Sequence, residues 1–267
     1  MKKMPSYKKP PVVEVAIGVQ FAPITSLTAP YIGLFWNTVR ETFAGTEEQP
    51  PLQHLEGVVP RESQFKLVVL DKPELPRTWF LNQRGDRIIQ LQRDRFHYNW
   101  RKLTSEDEYP RYPKVKEAFL GHWEKFRSFL KEVNLPEPVI DQCELVYVNH
   151  LVKGETWKEP VDFPKVFNIL QWNPRNAFLP SPESVRWSMR FPMASASGLL
   201  TVDAVPAKIP PDGPEVIRFS LTARGCPGGD INAETLEKWF EVAREYIVRG
   251  FVDLTTRQTD AIWEREL

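Results

Sequence analysis

Pro11-Val12-Val13-Glu14 opens an apolar segment in the first half of the chain, and Pro138-Val139-Ile140-Asp141 opens a matching one in the second half. Behind both openings, apolar and polar segments follow in the same order, although few residues are identical. Repetition of this kind indicates the overall architecture rather than a single site. It predicts one structural unit written twice.

The first unit begins with a strand over Val12–Phe21, where Val13, Val15, Ile17 and Val19 share one face at a period of two. Arg84-Gly85-Asp86 has the composition of a hairpin turn. The elements predicted in this half are a strand at 12–21, a helix at 27–43, strands at 64–70, 79–83 and 87–100, and an amphipathic helix at 114–133.

The second unit repeats this plan. Asn232 is an N-cap residue for its long amphipathic helix, and Thr255 to Gln258 fits a capping box for a last short helix. The elements predicted in this half are strands at 139–151, 185–191, 198–207 and 215–223, with helices at 161–172 and 233–254.

Strands followed by a long helix in each half are typical of an α+β fold rather than of a parallel, doubly wound sheet. We therefore expect an internally duplicated unit of strand, helix, antiparallel strands and long helix, with one curved sheet and the helices on one face. This arrangement is TATA-binding-protein-like or helix-grip-like in architecture only. The predicted organisation is a flexible lead-in at 1–9, a first repeat at 10–134, and a second repeat with a short C-terminal helix at 135–267.

Composition restricts the possible partners. The 267 residues are 42% hydrophobic and 26% charged, which is typical of a soluble globular protein. The 35 basic residues equal the 35 acidic ones, and a net charge of zero does not favour broad binding to nucleic acid. The sequence has no long apolar run and no leader-like N-terminus, so we expect a cytoplasmic protein with no membrane association.

The densest polar and aromatic segment spans residues 88–101 and is followed by Tyr109-Pro110-Arg111-Tyr112-Pro113. In an extended strand, the odd-numbered residues from 93 to 99 project to one face and Phe96, Tyr98 and Trp100 to the other. Arginines suit an anion or a carboxylate, and aromatic rings suit stacking. The alternative is that the rings belong to the core and the arginines are only solvated. The predicted ligand- or partner-binding residues are Arg93, Arg95, His97, Asn99, Trp100, Tyr109, Arg111 and Tyr112.

These motifs together resemble a sporadically distributed bacterial protein family of unknown function. The likeness lies in the Gln-rich strand, the Arg93-Asp94-Arg95-Phe96 run, the Asn99-Trp100 pair and the Tyr-Pro-x-Tyr turn. The Pro-Pro-Val-Val-Glu opening and the segment 251–256 before Trp263 fit it as well. The resemblance covers nearly the whole chain. It implies no activity, cofactor or catalytic residue, and it draws attention to the region 93–112.

Other chemistries find little support in the sequence. The four histidines and the two cysteines lack metal-site spacing, so we predict no metal and no cofactor. There is no Gly-x-Ser-x-Gly elbow of a serine hydrolase. Cys226 lies in a Gly- and Pro-rich turn and is interpreted as a turn residue rather than a nucleophile. Glu14 and Glu144 occupy comparable strands, where they are either paired carboxylates for acid-base work or side chains that point to solvent or make separate ion pairs.

Three functional hypotheses follow. The first is a non-enzymatic binding or regulatory module with a protein partner, as in an antitoxin-like subunit, with the oligomeric state left open. The second is binding of a nucleotide or a short single-stranded nucleic acid on the concave sheet, with Arg95, Tyr98 and Trp100 as contacts. The third is an enzyme with an unfamiliar site that uses His97 or His150 as a base.

Overall fold

A single large antiparallel sheet dominates the molecule. The computed structural model describes residues 3–54, 75–171, 173, 175–176, 178–194 and 196–266. Within those residues the strands are β1 (Ser6–Tyr7), β2 (Val12–Phe21), β3 (Gly45–Gln49), β4 (Arg77–Leu81), β5 (Arg87–Gln92), β6 (Arg95–Arg101), β7 (Ile140–Val152), β8 (Trp187–Met193), β9 (Gly198–Lys208), β10 (Glu215–Gly225) and β11 (Arg265–Glu266). The helices are α1 (Ala29–Val39), α2 (Tyr112–Glu132), α3 (Phe163–Val166), α4 (Ala233–Leu254) and α5 (Arg257–Ile262).

Nine of these strands form one sheet in the order β3-β4-β5-β6-β2-β7-β10-β9-β8, and every neighbouring pair is antiparallel. The first strands of the two halves, β2 and β7, pair at the centre. Outward from that pair, β6, β5 and β4 follow on one side and β10, β9 and β8 on the other. The predicted α+β class is therefore confirmed, and superposition of the two halves stays a prediction.

The two long helices pack against the same side of this sheet. Phe96 of β6 stacks on Phe126 of α2 at 5.3 Å between ring centroids. Phe219 of β10 lies 5.7 Å from Phe251 of α4. The helices also meet each other, because the rings of Phe119 and Phe240 are 5.4 Å apart. All six rings are buried, so the core is one layer between the sheet and the helices.

Local sequence signals explain where the long helices begin and end. Asn232 caps α4: its side chain accepts a hydrogen bond from the backbone N–H of Thr235 at 2.9 Å, and the Thr235 hydroxyl accepts one from the Asn232 N–H. Pro113 lies in the first turn of α2, where its missing N–H costs nothing. After α2, Asn134 takes a φ of 55°, which suits asparagine and ends the helix.

Three expectations differ from the structure. The strand predicted at 87–100 is two strands, β5 and β6, because the chain reverses at Arg93 and Asp94. The helix predicted at 161–172 is reduced to a 3-10 turn at Pro160–Asp162 followed by α3. The strand predicted at 64–70 lies outside the described residues.

The N-terminal segment contributes the first strand, and a flexible lead-in at 1–9 stays a prediction. Ser6 and Tyr7 form β1, which pairs with Arg265 and Glu266 of β11. Tyr7 is buried, and its ring contacts Phe251 at 5.8 Å. The two ends of the chain therefore meet beside α4. Among the described helices, none is long and apolar enough to cross a membrane.

Candidate functional site

The structure separates the predicted site residues into two groups on opposite faces of the sheet. Arg95, His97 and Asn99 alternate along β6 and project to the face that α2 and α4 leave uncovered, as predicted from the strand period. Trp100 projects to the helical side and is buried. Tyr109, Arg111 and Tyr112 lie at the start of α2. Arg93 belongs to neither group, because it lies in the turn and its Nε donates to the carbonyl of Leu27 at 3.1 Å.

Arg95 serves an internal network. It is 5% exposed, and its guanidinium donates to the Gln20 side chain at 3.2 Å and to the carbonyl of Gln53 at 2.7 Å. Both oxygens of Asp94 lie 3.3 Å from the same guanidinium. Because a buried charge requires such partners, the network accounts for Arg95 without any ligand.

His54, which no sequence signal singles out, joins this network from the segment at 52–54. Its Nδ1 is 2.9 Å from a carboxylate oxygen of Asp94, and its Nε2 is 3.1 Å from one of Asp141. Gln20 links the same groups, since its amide donates to Asp141 at 3.0 Å. These contacts hold the segment at 52–54 across one end of the uncovered face.

His97 lies directly over the backbone of Gly18, in the space where a side chain on Gly18 would stand. Its Nε2 is 4.0 Å from a carboxylate oxygen of Glu144, which forms an ion pair with Arg224. Burial lowers the pKa of His97 to about 4, against the opposing effect of Glu144 and aided by nearby arginines. Burial alone would raise the pKa of Glu144, but the charge of Arg224 and its hydrogen bond hold the pKa below its usual value. His97 is thus a neutral, enclosed imidazole at physiological pH.

Asn99 takes part in a set of side-chain hydrogen bonds that runs from β2 to β4 on the uncovered face. Its amide donates to Glu14 at 2.6 Å, and its oxygen accepts from Gln90 at 2.7 Å. Gln90 in turn accepts from Arg77 at 2.9 Å and from Trp79 at 3.1 Å. Glu14 and Glu144 therefore take part in separate interactions rather than in a carboxylate pair.

The aromatic residues of β6 are part of the core. Trp100 is 1% exposed and packs on Tyr109 at 5.2 Å, and Tyr98 stacks on His122 at 5.7 Å. Neither ring is accessible to a base. The partly exposed aromatic ring on the uncovered face is Trp79, which the guanidinium groups of Arg77 and Arg101 approach at 5.4 and 5.9 Å.

A pocket of about 390 Å³ lies on the helical side of the sheet, where the N-terminal segment meets α2 and α4. Tyr109, Arg111 and Tyr112 belong to it, and most other contributors are aromatic or aliphatic. We call it the Tyr112 pocket. Its lining residues are Pro5, Ser6, Tyr7, Pro10, Pro11, Val12, Tyr109, Arg111, Tyr112, Pro113, Tyr147, Asn149, Leu221, Arg244, Ile247, Val248, Phe251 and Glu266.

The tyrosines of the pocket keep their protons at physiological pH. The hydroxyl groups of Tyr109 and Tyr147 are 3.0 Å apart and form a hydrogen bond. Burial raises the pKa of Tyr109 to about 12 and that of Tyr147 well above its usual value. Burial and the charge of Glu241 also raise the pKa of Tyr112. The Tyr112 hydroxyl is buried and has no hydrogen-bond partner in the described part of the chain, which leaves a polar atom unsatisfied.

Two arginines flank these rings. The guanidinium carbon of Arg244 lies 4.7 Å from the ring centroid of Tyr112, and that of Arg111 lies 6.0 Å from that of Tyr109. Arg111 donates to the carbonyl of Tyr7 at 2.9 Å, and Arg244 is 3.8 Å from a carboxylate oxygen of Glu241. The pocket can therefore enclose an apolar group beside positive charge.

Half of this site escaped sequence reasoning. Tyr7, Tyr147 and Arg244 come from the N-terminal segment, from β7 and from α4, so no local pattern connects them. The motif at 109–113 was found because its aromatic residues, arginine and prolines are adjacent in sequence.

The other candidate groups do not form a second site. Burial and the charge of Arg218 lower the pKa of His150. Cys143 is buried and Cys226 is partly buried, and both are free thiols. Across the described ranges, no group of three His, Cys, Asp or Glu side chains is arranged to hold a metal ion. Searches of protein-family models, curated proteins and solved structures return no match for the chain.

Proposed function

We propose that the protein is a non-enzymatic binding module and that its ligand is a small molecule held in the Tyr112 pocket. One observation carries the proposal: a concave, mainly apolar pocket forms where three distant segments of the chain meet. Its volume of about 390 Å³ lies within the range of small-molecule sites, which are lined by apolar side chains with a few convergent polar groups. Tyr112, Arg111 and Arg244 are those polar groups here.

The uncovered face of the sheet supports this role less well. Arg95, His97 and Asn99 are buried and bonded to neighbouring side chains, so ligand binding there would require the network to break. In the Tyr112 pocket, by contrast, Arg111 is exposed, and the Tyr112 hydroxyl has no hydrogen-bond partner among the described residues.

The chemistry of the pocket favours binding over catalysis. Among the described residues that line it, there is no histidine and no cysteine, and Glu266 is the single carboxylate. The hydroxyl groups of Tyr109 and Tyr147 stay protonated at neutral pH because burial raises their pKa values. A general base is therefore lacking where a substrate would lie.

A fragment library screened by ligand-observed NMR and thermal shift tests the proposal. Val248 lines the pocket, so Val248→Trp is expected to fill it and to abolish binding of the fragments that the wild type binds. Val161→Trp is the matched control, since Val161 is 52% exposed and distant from the lining residues. Equal binding of all hits to Val248→Trp and the wild type would reject the pocket as the site.

A protein partner is the second candidate function, and one feature favours it. Phe178 and Leu179 are 88% and 59% exposed, and two adjacent exposed large apolar side chains are typical of contact sites. Pull-down from the native host would compare the wild type with the Phe178→Ser/Leu179→Ser variant. A Val139→Ser control removes an isolated side chain that is 70% exposed. A partner lost only with the double variant would support this function, and equal recovery would reject it.

A further inference from the structure

We infer that the Tyr112 pocket selects an organic carboxylate with an apolar body, and that Arg111 binds its carboxylate group. This inference rests on the proposed function and names the class of its ligand. Three separate features place positive charge at this mainly apolar pocket: the side chain of Arg111, the N-terminus of α2, and Arg244.

The backbone of Arg111 adopts a conformation that belongs to glycine. Its φ is 71° and its ψ is 148°, a region in which a side chain clashes with its own backbone. Glycine would occupy the position without strain. The presence of an arginine at this strained position supports a ligand-binding role for its side chain. Its bond to the carbonyl of Tyr7 uses one of five N–H donors and leaves others for a ligand.

Arg111 is also the residue at which α2 begins. The first turn of this 21-residue helix contains no acidic residue, and no side chain caps it. The aligned peptide dipoles place a partial positive charge at this end, and helix N-termini bind anions for that reason. The helix and the guanidinium of Arg111 therefore act in the same direction.

Arg244 adds a second guanidinium from α4. It lies against the ring of Tyr112, and its contact with Glu241 at 3.8 Å is longer than a hydrogen bond. The lining residues hold two arginines against one carboxylate, that of Glu266, which accepts a hydrogen bond from the Ser6 hydroxyl at 2.5 Å. The charge of the lining is thus net positive before the helix is considered.

The remainder of the lining sets the body of the ligand. Val12, Leu221, Ile247, Val248 and Phe251 offer aliphatic and aromatic surface, which favours a hydrocarbon or an aryl group. The buried Tyr112 hydroxyl provides a hydrogen bond to a ligand oxygen that reaches it, and this would satisfy an atom that otherwise has no partner. The planar guanidinium of an arginine can form two parallel hydrogen bonds with a planar carboxylate.

Matched probe sets separate this inference from the proposed function. Apolar monocarboxylic acids are compared with the primary alcohols of the same body and with the corresponding phosphate monoesters, by calorimetry and ligand-observed NMR. The wild type is expected to bind the acids at least tenfold more tightly than the alcohols. Added salt should weaken the binding of the acids and leave that of the alcohols unchanged.

Arg111→Gly is the decisive variant, because glycine suits the backbone at this position and the chain should remain folded. It is expected to reduce the affinity for the acids to that for the alcohols and to leave the alcohols unaffected. Arg111→Lys, which keeps the charge and removes the planar fork, should recover part of the preference.

Each outcome has one meaning. Equal binding of acids and alcohols by the wild type would overturn the carboxylate inference and leave the proposed function standing. Binding of phosphate monoesters alone would replace the carboxylate with a phosphate and overturn the inference as stated. Failure of every probe in all three sets to bind the wild type would overturn the carboxylate inference, and the fragment screen with Val248→Trp would then decide the proposed function.

Discussion

The imidazole ring of His97 occupies the place of the missing side chain of Gly18. The two residues are opposite each other on β6 and β2, and a Cβ atom added to Gly18 would lie 1.6 Å from Cδ2 of His97 and 2.6 Å from the carbonyl oxygen of Phe96. Contacts that short are impossible, so glycine is required for His97 to lie flat on the sheet. The close approach to Gly18 leaves the His97 ring 4.0 Å from the carboxylate of Glu144 in β7. His97 of the first half therefore contacts the second half on the uncovered face of the sheet.

The Gly18→Ala variant is therefore expected to lower the free energy of unfolding by about 3 kcal/mol. Overpacking typically costs about 1–3 kcal/mol, and the upper value applies here because both a ring and the backbone must move. Urea unfolding followed by circular dichroism measures the change. Gly33→Ala is the matched control: a Cβ at Gly33 in α1 meets nothing within 4 Å. In a helix, that control should stabilise by about 0.5–1 kcal/mol. A Gly18→Ala protein as stable as the wild type would contradict the close approach of His97.

His97 should also make stability depend on pH. Burial lowers its pKa in the folded state to about 4, whereas an imidazole in the unfolded chain titrates near about 6.5. Between these values the unfolded state binds a proton that the folded state does not, so the free energy of unfolding falls as the pH is lowered through this window. The loss attributable to His97 is at most about 3 kcal/mol.

NMR provides the direct measurement of this second prediction. The Cε1 proton of His97 is expected to show no titration between pH 7 and pH 5. His122, whose pKa burial and Lys125 also lower to about 4, should behave in the same way. Titration of the His97 resonance with a midpoint near that of a free imidazole would show that the ring is solvated rather than enclosed against Gly18.

The parts of the fold that the sequence predicts are those with a strong period or a local cap. The strand at Val12–Phe21 alternates cleanly and was predicted with its observed bounds, and Asn232 begins α4 as expected. The sequence does carry a signal for the reversal at Arg93 and Asp94, because the core-facing apolar residues change from odd positions, Ile89 and Leu91, to even positions, Phe96 and Tyr98. A single strand at 87–100 overlooks this change of phase, and aspartate is itself favoured in turns. The resemblance to a bacterial family of unknown function stays a prediction.

The candidate site was half predictable for a related reason. Strand alternation correctly assigned Arg95, His97 and Asn99 to one face. It gave no indication that His54 and its neighbours lie across that face, because such contacts arise between distant segments. The same limit explains why Tyr7 and Arg244 were not linked to Tyr112.

Phe119 and Phe240 are expected to couple the two long helices energetically. Each ring is fully buried, so alanine at either position should cost about 3–5 kcal/mol. The rings are in edge contact at 5.4 Å, and a double-mutant cycle should therefore give a coupling free energy of about 0.5–1.5 kcal/mol. Urea unfolding of the two single variants and the double variant measures it. Strict additivity would contradict an energetic coupling between the two rings.

Arg111→Gly is expected to raise stability although it removes a large side chain. A residue other than glycine at a φ of 71° and a ψ of 148° is strained by about 1–3 kcal/mol, and glycine releases that strain. The variant loses the hydrogen bond to the carbonyl of Tyr7, worth about 1 kcal/mol, and glycine adds freedom to the unfolded chain, which offsets up to a further 1 kcal/mol. These contributions sum to a net change between about −1 and +2 kcal/mol, so the central expectation is a gain of less than about 1 kcal/mol. Arg111→Ala keeps the backbone strain and loses the same bond, so it should be less stable than Arg111→Gly by about 1 kcal/mol or more.

Thermal and urea unfolding of the wild type and the two variants measure these differences. If the alanine variant is as stable as the glycine variant, the backbone at Arg111 is not strained. Backbone strain would then no longer support a ligand-binding role for the Arg111 side chain.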